Sequence, residues 1–149
     1  MPAVRVTKEF SFEMAHALWN YDGACRNIHG HSYRLFITVT GTPLPDANHP
    51  KFGMVIDFKD LKSLVRDSIV RQLDHALVLY KGAERKSLDA LKTMYDKVLI
   101  LPFQPTCENL VLYISETLRK HLPDTIKLYS VKLQETATSF AEWYAEDNT

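Results

Sequence analysis

Three histidines at short spacing are the residues of this chain best suited to chemistry. His29 and His31 stand two residues apart in a stretch with strand-like alternation, so both side chains point to one face. His16 lies where an earlier strand is predicted to end, and a hairpin between the two strands would bring it alongside. Three neutral imidazoles around one ion, with a fourth position open, are the arrangement of catalytic zinc. The sequence therefore predicts a three-histidine metal site.

Cys25 lies four residues before His29, in an irregular stretch between the two predicted strands. A metal ion and imidazoles nearby favour the thiolate, which can act as a base or a nucleophile. Two other interpretations stay open, a plain free thiol and a fourth zinc ligand that would close the site and make it structural. The second cysteine, Cys107, falls at the start of a helix and is interpreted as a packed structural residue.

Other titratable residues are weaker candidates. Asp74 and His75 adjoin, and a carboxylate can orient a neighbouring imidazole, although adjacent side chains often diverge. Glu135 ends a predicted strand and is either a solvated edge residue or an acceptor of two parallel hydrogen bonds from an amidine-like ligand. His49, in a proline-rich loop, and His121, at a helix C-terminus, are interpreted as ordinary histidines. These residues alone indicate a zinc lyase or hydrolase with a Cys/His base.

Hydrophobic periodicity predicts the strands that must position these residues. Apolar and polar residues alternate in four stretches, which is the pattern of a half-buried strand. The predicted strands cover about residues 3–15, 29–40, 127–135 and 138–144. The first two carry the three histidines, and the third ends at Glu135.

Two long amphipathic helices are predicted between these pairs of strands. Asp57 is the N-cap candidate of a helix that runs to about Gln72, and Thr106 caps a second helix. A short helix is expected at about 87–95, and no role is assigned to residues 78–101. Strands, then helices, then strands favour an α+β fold with an antiparallel sheet and helices on one face.

The bulk composition is that of a single soluble domain over residues 1–149, with 46% hydrophobic and 24% charged residues. The 18 basic and 18 acidic side chains balance, which argues against nucleic acid as a partner because phosphate contacts need a basic patch. No apolar signal core, bilayer-length apolar run or disulfide pattern is visible. We therefore expect a cytoplasmic protein without a membrane partner.

Six short segments match the motifs of one known family in the same order. They are FEMAH (12–16), CRNIHGHSY (25–33), GMVIDF (53–58), LDH (73–75), PTCEN (105–109) and ETATS (135–139). In these segments the chain resembles the 6-pyruvoyl-tetrahydropterin synthase family from about residue 6 to 144. The short Cys-to-His spacing of the second segment resembles the queuosine-pathway branch of that family.

This resemblance implies the tunnelling fold, a four-stranded antiparallel sheet with two long helices on one face. It implies that three such sheets close into a barrel and that two trimers stack into a homohexamer with active sites between subunits. The implied cofactor is Zn²⁺, held by His16, His29 and His31.

The resemblance also implies a small-molecule substrate, 7,8-dihydroneopterin triphosphate, whose side-chain hydroxyls would bind the zinc. Cys25 would move protons as general acid and base, and Asp74 with His75 would form a second proton-transfer unit. In the queuosine branch the products are 6-carboxy-5,6,7,8-tetrahydropterin, acetaldehyde and triphosphate.

The implied pterin pocket contains three further residues. Glu135 would hold the amino-pyrimidine edge, and Thr106 and Glu108 would line the pocket. Other functions stay open at this point. The pyruvoyl-forming enzyme of biopterin synthesis would share every named residue, and a zinc-stabilised binding module would use only the metal site. A folate-related branch typically places Glu in the role of the thiol, and Cys25 speaks against it.

Overall fold

A mixed six-stranded sheet organises the computed structural model, which describes residues 2–149. The strands are β1 (Val4–His16), β2 (His29–Gly41), β3 (Ala76–Tyr80), β4 (Val98–Leu101), β5 (Lys127–Thr136) and β6 (Ser139–Tyr144). Their order across the sheet is β4-β3-β1-β2-β5-β6. The two strands that carry the histidines therefore lie at its centre.

Four of these strands form the antiparallel part of the sheet that the sequence predicts. β1 pairs with β2, β2 with β5 and β5 with β6, all in antiparallel orientation. Their bounds agree with the predicted ones to about one residue. Long runs of alternation specify such strands well because one face must be buried.

Two parallel strands extend this sheet, so the expectation of a purely antiparallel four-stranded sheet is wrong. β3 runs parallel to the end of β1, and β4 runs parallel to β3. The helix over Arg85–Met94 connects them, as a parallel pair requires a crossover. The two strands have five and four residues, too short for a period-two pattern to identify them.

Two of the four helices, α1 and α4, begin directly after the capping residues that the sequence indicates. They are α1 (Phe58–Val65), α2 (Arg71–Leu73), α3 (Arg85–Met94) and α4 (Cys107–His121). The Asp57 side chain accepts a hydrogen bond from the Lys59 N–H, and the Thr106 hydroxyl accepts one from the Asn109 N–H. A π-helical turn at Arg66–Val70 joins α1 to α2, where the sequence predicts one regular helix. Within residues 2–149, no helix is long and apolar enough to cross a membrane.

The core lies between one face of the sheet and the long helices. Alternate residues of the strands point into it, together with the buried stripe that the sequence predicts on α4, namely Leu110, Val111, Ile114 and Leu118. Among residues 2–149, the polar residues that are buried are His16 and Ser115. A buried polar side chain costs free energy unless it is bonded, so the burial of His16 requires an explanation.

Candidate metal centre and active site

Strand pairing brings the three histidines together. His16 lies directly opposite His29 in the β1–β2 register, and Met14 lies opposite His31. His31 therefore shares a face with His29, one diagonal step away from His16. One ring nitrogen of each histidine lies within 4.8 Å of those of the other two, and the ring centroids are 4.5 to 5.3 Å apart.

Hydrogen bonds on the far side of two rings leave the Nε2 atoms facing one another. The Nδ1 atom of His16 is 2.7 Å from the Pro105 carbonyl oxygen, and that of His29 is 2.7 Å from the Asn27 carbonyl oxygen. A carbonyl only accepts, so each Nδ1 carries the proton and each Nε2 keeps a lone pair. The Nε2 atoms of all three histidines are buried and have no hydrogen-bond partner among the described residues. This donor set fits a divalent ion that prefers imidazole.

The surroundings of His16 favour its neutral form. Burial is the main cause that lowers the pKa of this ring, and the neighbouring His29 and His31 lower it further, against the opposing effects of the Pro105 carbonyl and the Glu135 carboxylate. Neutral imidazole is the form that binds metals. The buried ring is therefore ready to bind an ion without first losing a proton.

A cavity of about 430 Å³ lies beside the histidine cluster, and most of the other predicted site residues line it. Its walls include His16, Cys25, His29, Thr106, Glu108 and Glu135. The Glu135 Oε1 atom lies 3.8 Å from His31 Nε2. The group of ligand atoms within 4.8 Å of one another consists of the histidines and does not include the Cys25 sulfur. The thiol and the carboxylate thus line one cavity at the metal centre.

Tyr33 and Cys107 also lie close to the metal centre. Tyr33 is fully buried beside His31, and its hydroxyl has no hydrogen-bond partner among the described residues. Burial and the negative charge of Glu135 raise the pKa of that hydroxyl. The same two causes raise the pKa of Cys107 to about 11, and its sulfur lies 3.2 Å from the Leu133 carbonyl oxygen. The Cys107 sulfur is thus hydrogen-bonded to the backbone of β5, and its side chain also forms part of the cavity wall.

Asp74 and His75 form a pair that lies away from this cavity. The Asp74 Oδ1 atom is 3.0 Å from His75 Nδ1 and accepts a 2.9 Å hydrogen bond from the Glu13 N–H, which lowers the Asp74 pKa. His75 has φ of 61°, uncommon for a residue with a side chain, and its side chain is 76% exposed. It lines a second cavity, of about 720 Å³, with Glu13, Ser32 and Lys97. Neither residue of this pair is among the wall residues of the cavity that contains Cys25.

The segment over residues 78–101 contacts the backbone near His16 and the backbone near His75. β3 pairs with the end of β1, so the strand that carries His16 has a neighbour on each side. Lys97 donates hydrogen bonds to the carbonyl oxygens of Arg71, at 2.6 Å, and of Asp74. A lysine at the last carbonyls of a helix stabilises that end. The segment thereby fixes the backbone that presents His75.

Comparison with known proteins identifies the class to which this arrangement belongs. The chain belongs to the 6-pyruvoyl tetrahydropterin synthase family, whose sequence profile matches residues 5–146. It is 40% identical over 141 residues to the 6-carboxy-5,6,7,8-tetrahydropterin synthase of Haemophilus influenzae, with 93% of this chain and 97% of that protein covered. It is 30% identical over 154 residues to the 6-pyruvoyl tetrahydrobiopterin synthase of Pongo abelii, with 95% and 92% covered. The resemblance noted in the sequence is confirmed.

Solved structures share the fold. An uncharacterised protein of Wolinella succinogenes superposes with a TM-score of 0.79 at 22% identity, covering 97% of this chain and 99% of that one. The 6-pyruvoyl tetrahydropterin synthase of Caenorhabditis elegans superposes with a TM-score of 0.69 at 24% identity, covering 97% of both. The fold of the family is thus confirmed, with the mixed sheet described above.

Replacing His31 with alanine tests the metal centre. We expect zinc affinity to fall by more than about 100-fold, because even loss of a residue that only orients a ligand costs about 10- to 100-fold. The measurement is zinc per chain after dialysis against a zinc buffer, by elemental mass spectrometry. His49→Ala is the matched control, since His49 is a loop histidine outside the cluster. Full zinc loading of the His31→Ala protein would contradict the assignment.

Proposed function

We propose that this chain is a zinc-dependent 6-carboxy-5,6,7,8-tetrahydropterin synthase, acting on 7,8-dihydroneopterin triphosphate in queuosine biosynthesis. The observation that carries the proposal is the three-histidine cluster beside a cavity that also contains Cys25 and Glu135. The 40% identity to the bacterial synthase of that name, over nearly the full length of both chains, supports the choice of product.

The wall of the cavity that contains Cys25 suits the pterin ring. Glu135 can accept two parallel hydrogen bonds from the amino-pyrimidine edge, the geometry that planar donors share with a carboxylate. The Thr106 hydroxyl already accepts from the Asn109 N–H, so its own hydrogen is free to be donated to the ligand. Glu108 lies in the first turn of α4 and adds a second acceptor to the same wall.

The reaction consumes one water, expels triphosphate, and breaks a carbon–carbon bond of the substrate side chain to release acetaldehyde, while the remaining side-chain carbon is oxidised and the pterin ring is reduced. These steps require protons to move at the carbons and oxygens of the side chain. A zinc ion held by His16, His29 and His31 would supply Lewis-acid polarisation of the side-chain oxygens. Cys25 lines the same cavity and would take and return a proton there. The pair of Asp74 and His75 is the second proton-transfer unit.

We further propose that the complete site forms between subunits of a homohexamer. In one chain His75 is exposed and lines a different cavity from Cys25. Because its side chain is exposed, the His75 of a second copy is accessible for contact with the Cys25 cavity. The barrel of trimers expected from the family resemblance would supply such contacts.

Mixing two inactive variants tests the shared site. Cys25→Ala and His75→Ala are each expected to lose activity, and subunits of the two, co-expressed or mixed after dissociation, should regain it. About one quarter of the sites receive both native residues if subunits assemble at random. The matched control mixes Cys25→Ala with Glu135→Ala, whose residues line one cavity and cannot complement. Absence of recovery with the His75 variant, in verified mixed oligomers, would contradict a shared site.

Product analysis tests the reaction. Zinc-loaded protein incubated with 7,8-dihydroneopterin triphosphate should yield 6-carboxy-5,6,7,8-tetrahydropterin and acetaldehyde, measured by mass spectrometry. Cys25→Ala should lower kcat by about 10²- to 10⁴-fold, the usual contribution of a general acid or base. Pyruvoyl-tetrahydropterin as the product would assign the chain to the biopterin reaction instead. No turnover by protein with full zinc would reject the substrate.

A further inference from the structure

The side-chain amide of Gln104 forms two hydrogen bonds with the backbone of Trp19, 85 residues earlier in the chain. Its Nε2 atom donates to the Trp19 carbonyl oxygen at 2.8 Å, and the Trp19 N–H donates to its Oε1 atom at 2.9 Å. One carboxamide thereby satisfies both backbone groups of a loop residue, as a neighbouring strand would.

The loop held in this way carries Cys25. The N–H of Leu18, next to Trp19, donates to the Cys25 carbonyl oxygen at 2.9 Å. Among the described hydrogen bonds of residues 18–27, the two between Trp19 and Gln104 are those that reach a distant part of the chain. Trp19 is itself 47% exposed, so apolar burial contributes little to holding this loop.

Gln104 is in turn fixed to the metal centre and to α4. The backbone carbonyl oxygen of Gln104 accepts hydrogen bonds from the Thr106 N–H at 2.8 Å and from the Asn109 side-chain amide at 3.0 Å. The next carbonyl, that of Pro105, accepts the Nδ1 proton of His16. Adjacent residues therefore hold the loop of the thiol on one side and a metal-binding ring on the other.

We propose that Gln104 is a positioning residue, which sets the Cys25 loop at a fixed distance from the histidine cluster through the Trp19 backbone. The inference rests on the proposed function only in giving Cys25 a catalytic task. Proton transfer requires the thiol within hydrogen-bond reach of its target, and a displacement of about 1 Å can cost about 100-fold in rate.

Two substitutions separate the hydrogen bonds from the shape of the side chain. Gln104→Met keeps the length and removes both bonds, whereas Gln104→Glu keeps the acceptor but directs a carboxylate oxygen at the Trp19 carbonyl. Gln72→Met is the matched control, because it also removes a side-chain hydrogen bond, from the Tyr113 hydroxyl, far along the chain. All variants are studied as zinc-loaded full-length protein.

Amide hydrogen exchange at residues 18–25, resolved by mass spectrometry, reports the loop directly. For both Gln104 variants we expect exchange there to be faster by at least about tenfold, as for a loop that opens more often. We expect kcat to fall by about 10- to 100-fold with zinc content and KM little changed, since ligand contacts are kept. Gln72→Met should leave exchange in this loop and kcat as in the wild type.

Unchanged exchange at residues 18–25 in Gln104→Met would overturn the proposal, as would faster exchange with undiminished kcat. Wild-type behaviour of Gln104→Glu would also overturn it, because the donated hydrogen bond would then be dispensable. If wild-type protein with full zinc shows no synthase activity, the proposed function fails. In that case the exchange rates alone still decide whether Gln104 holds the loop.

Discussion

The antiparallel register between β1 and β2 is the constraint on which the site depends. It sets His16 opposite His29, and Met14 opposite His31. Because side chains alternate along a strand, a slip of one residue would turn the histidines to the other face and expose core residues such as Phe12. Burial of the hairpin's apolar face therefore selects the register, and the metal-binding geometry follows from it. The ion need not organise the fold.

Around this rigid hairpin, less regular segments carry the rest of the chemistry. Cys25 lies in a single 3₁₀-helical turn (Ala24–Arg26) within the connection between β1 and β2, and Thr106 is the N-cap of α4. His75 occupies a left-handed turn that connects a helix end to β3. Residues that hold these segments, including Gln104 and Lys97, act through backbone groups. The metal ligands therefore lie on a regular hairpin, and the other candidate site residues lie on connecting segments, as is common in proteins whose functional residues are on loops.

The sequence predicts the parts of this structure that local patterns specify. Alternation gives the antiparallel strands, and side-chain caps such as Thr106 mark where long helices begin. The short parallel strands have no such signature, since they are stabilised by distant partners. The sequence also does not predict that His75 and Cys25 line different cavities, because this depends on where a helix end lies relative to a loop. The role of a loop glutamine such as Gln104 cannot be predicted from the sequence, because its hydrogen bonds to Trp19 are known only from the three-dimensional structure.

Zinc K-edge X-ray absorption of the metal-loaded protein tests the central claim most directly, that three histidines hold an ion with one position open to substrate. The account predicts three imidazole nitrogens at about 2.0–2.1 Å, one further light atom and no sulfur at about 2.3 Å. A sulfur scatterer would make Cys25 a fourth ligand, close the site and contradict its role in proton transfer. Fewer than three imidazoles would contradict the metal centre itself.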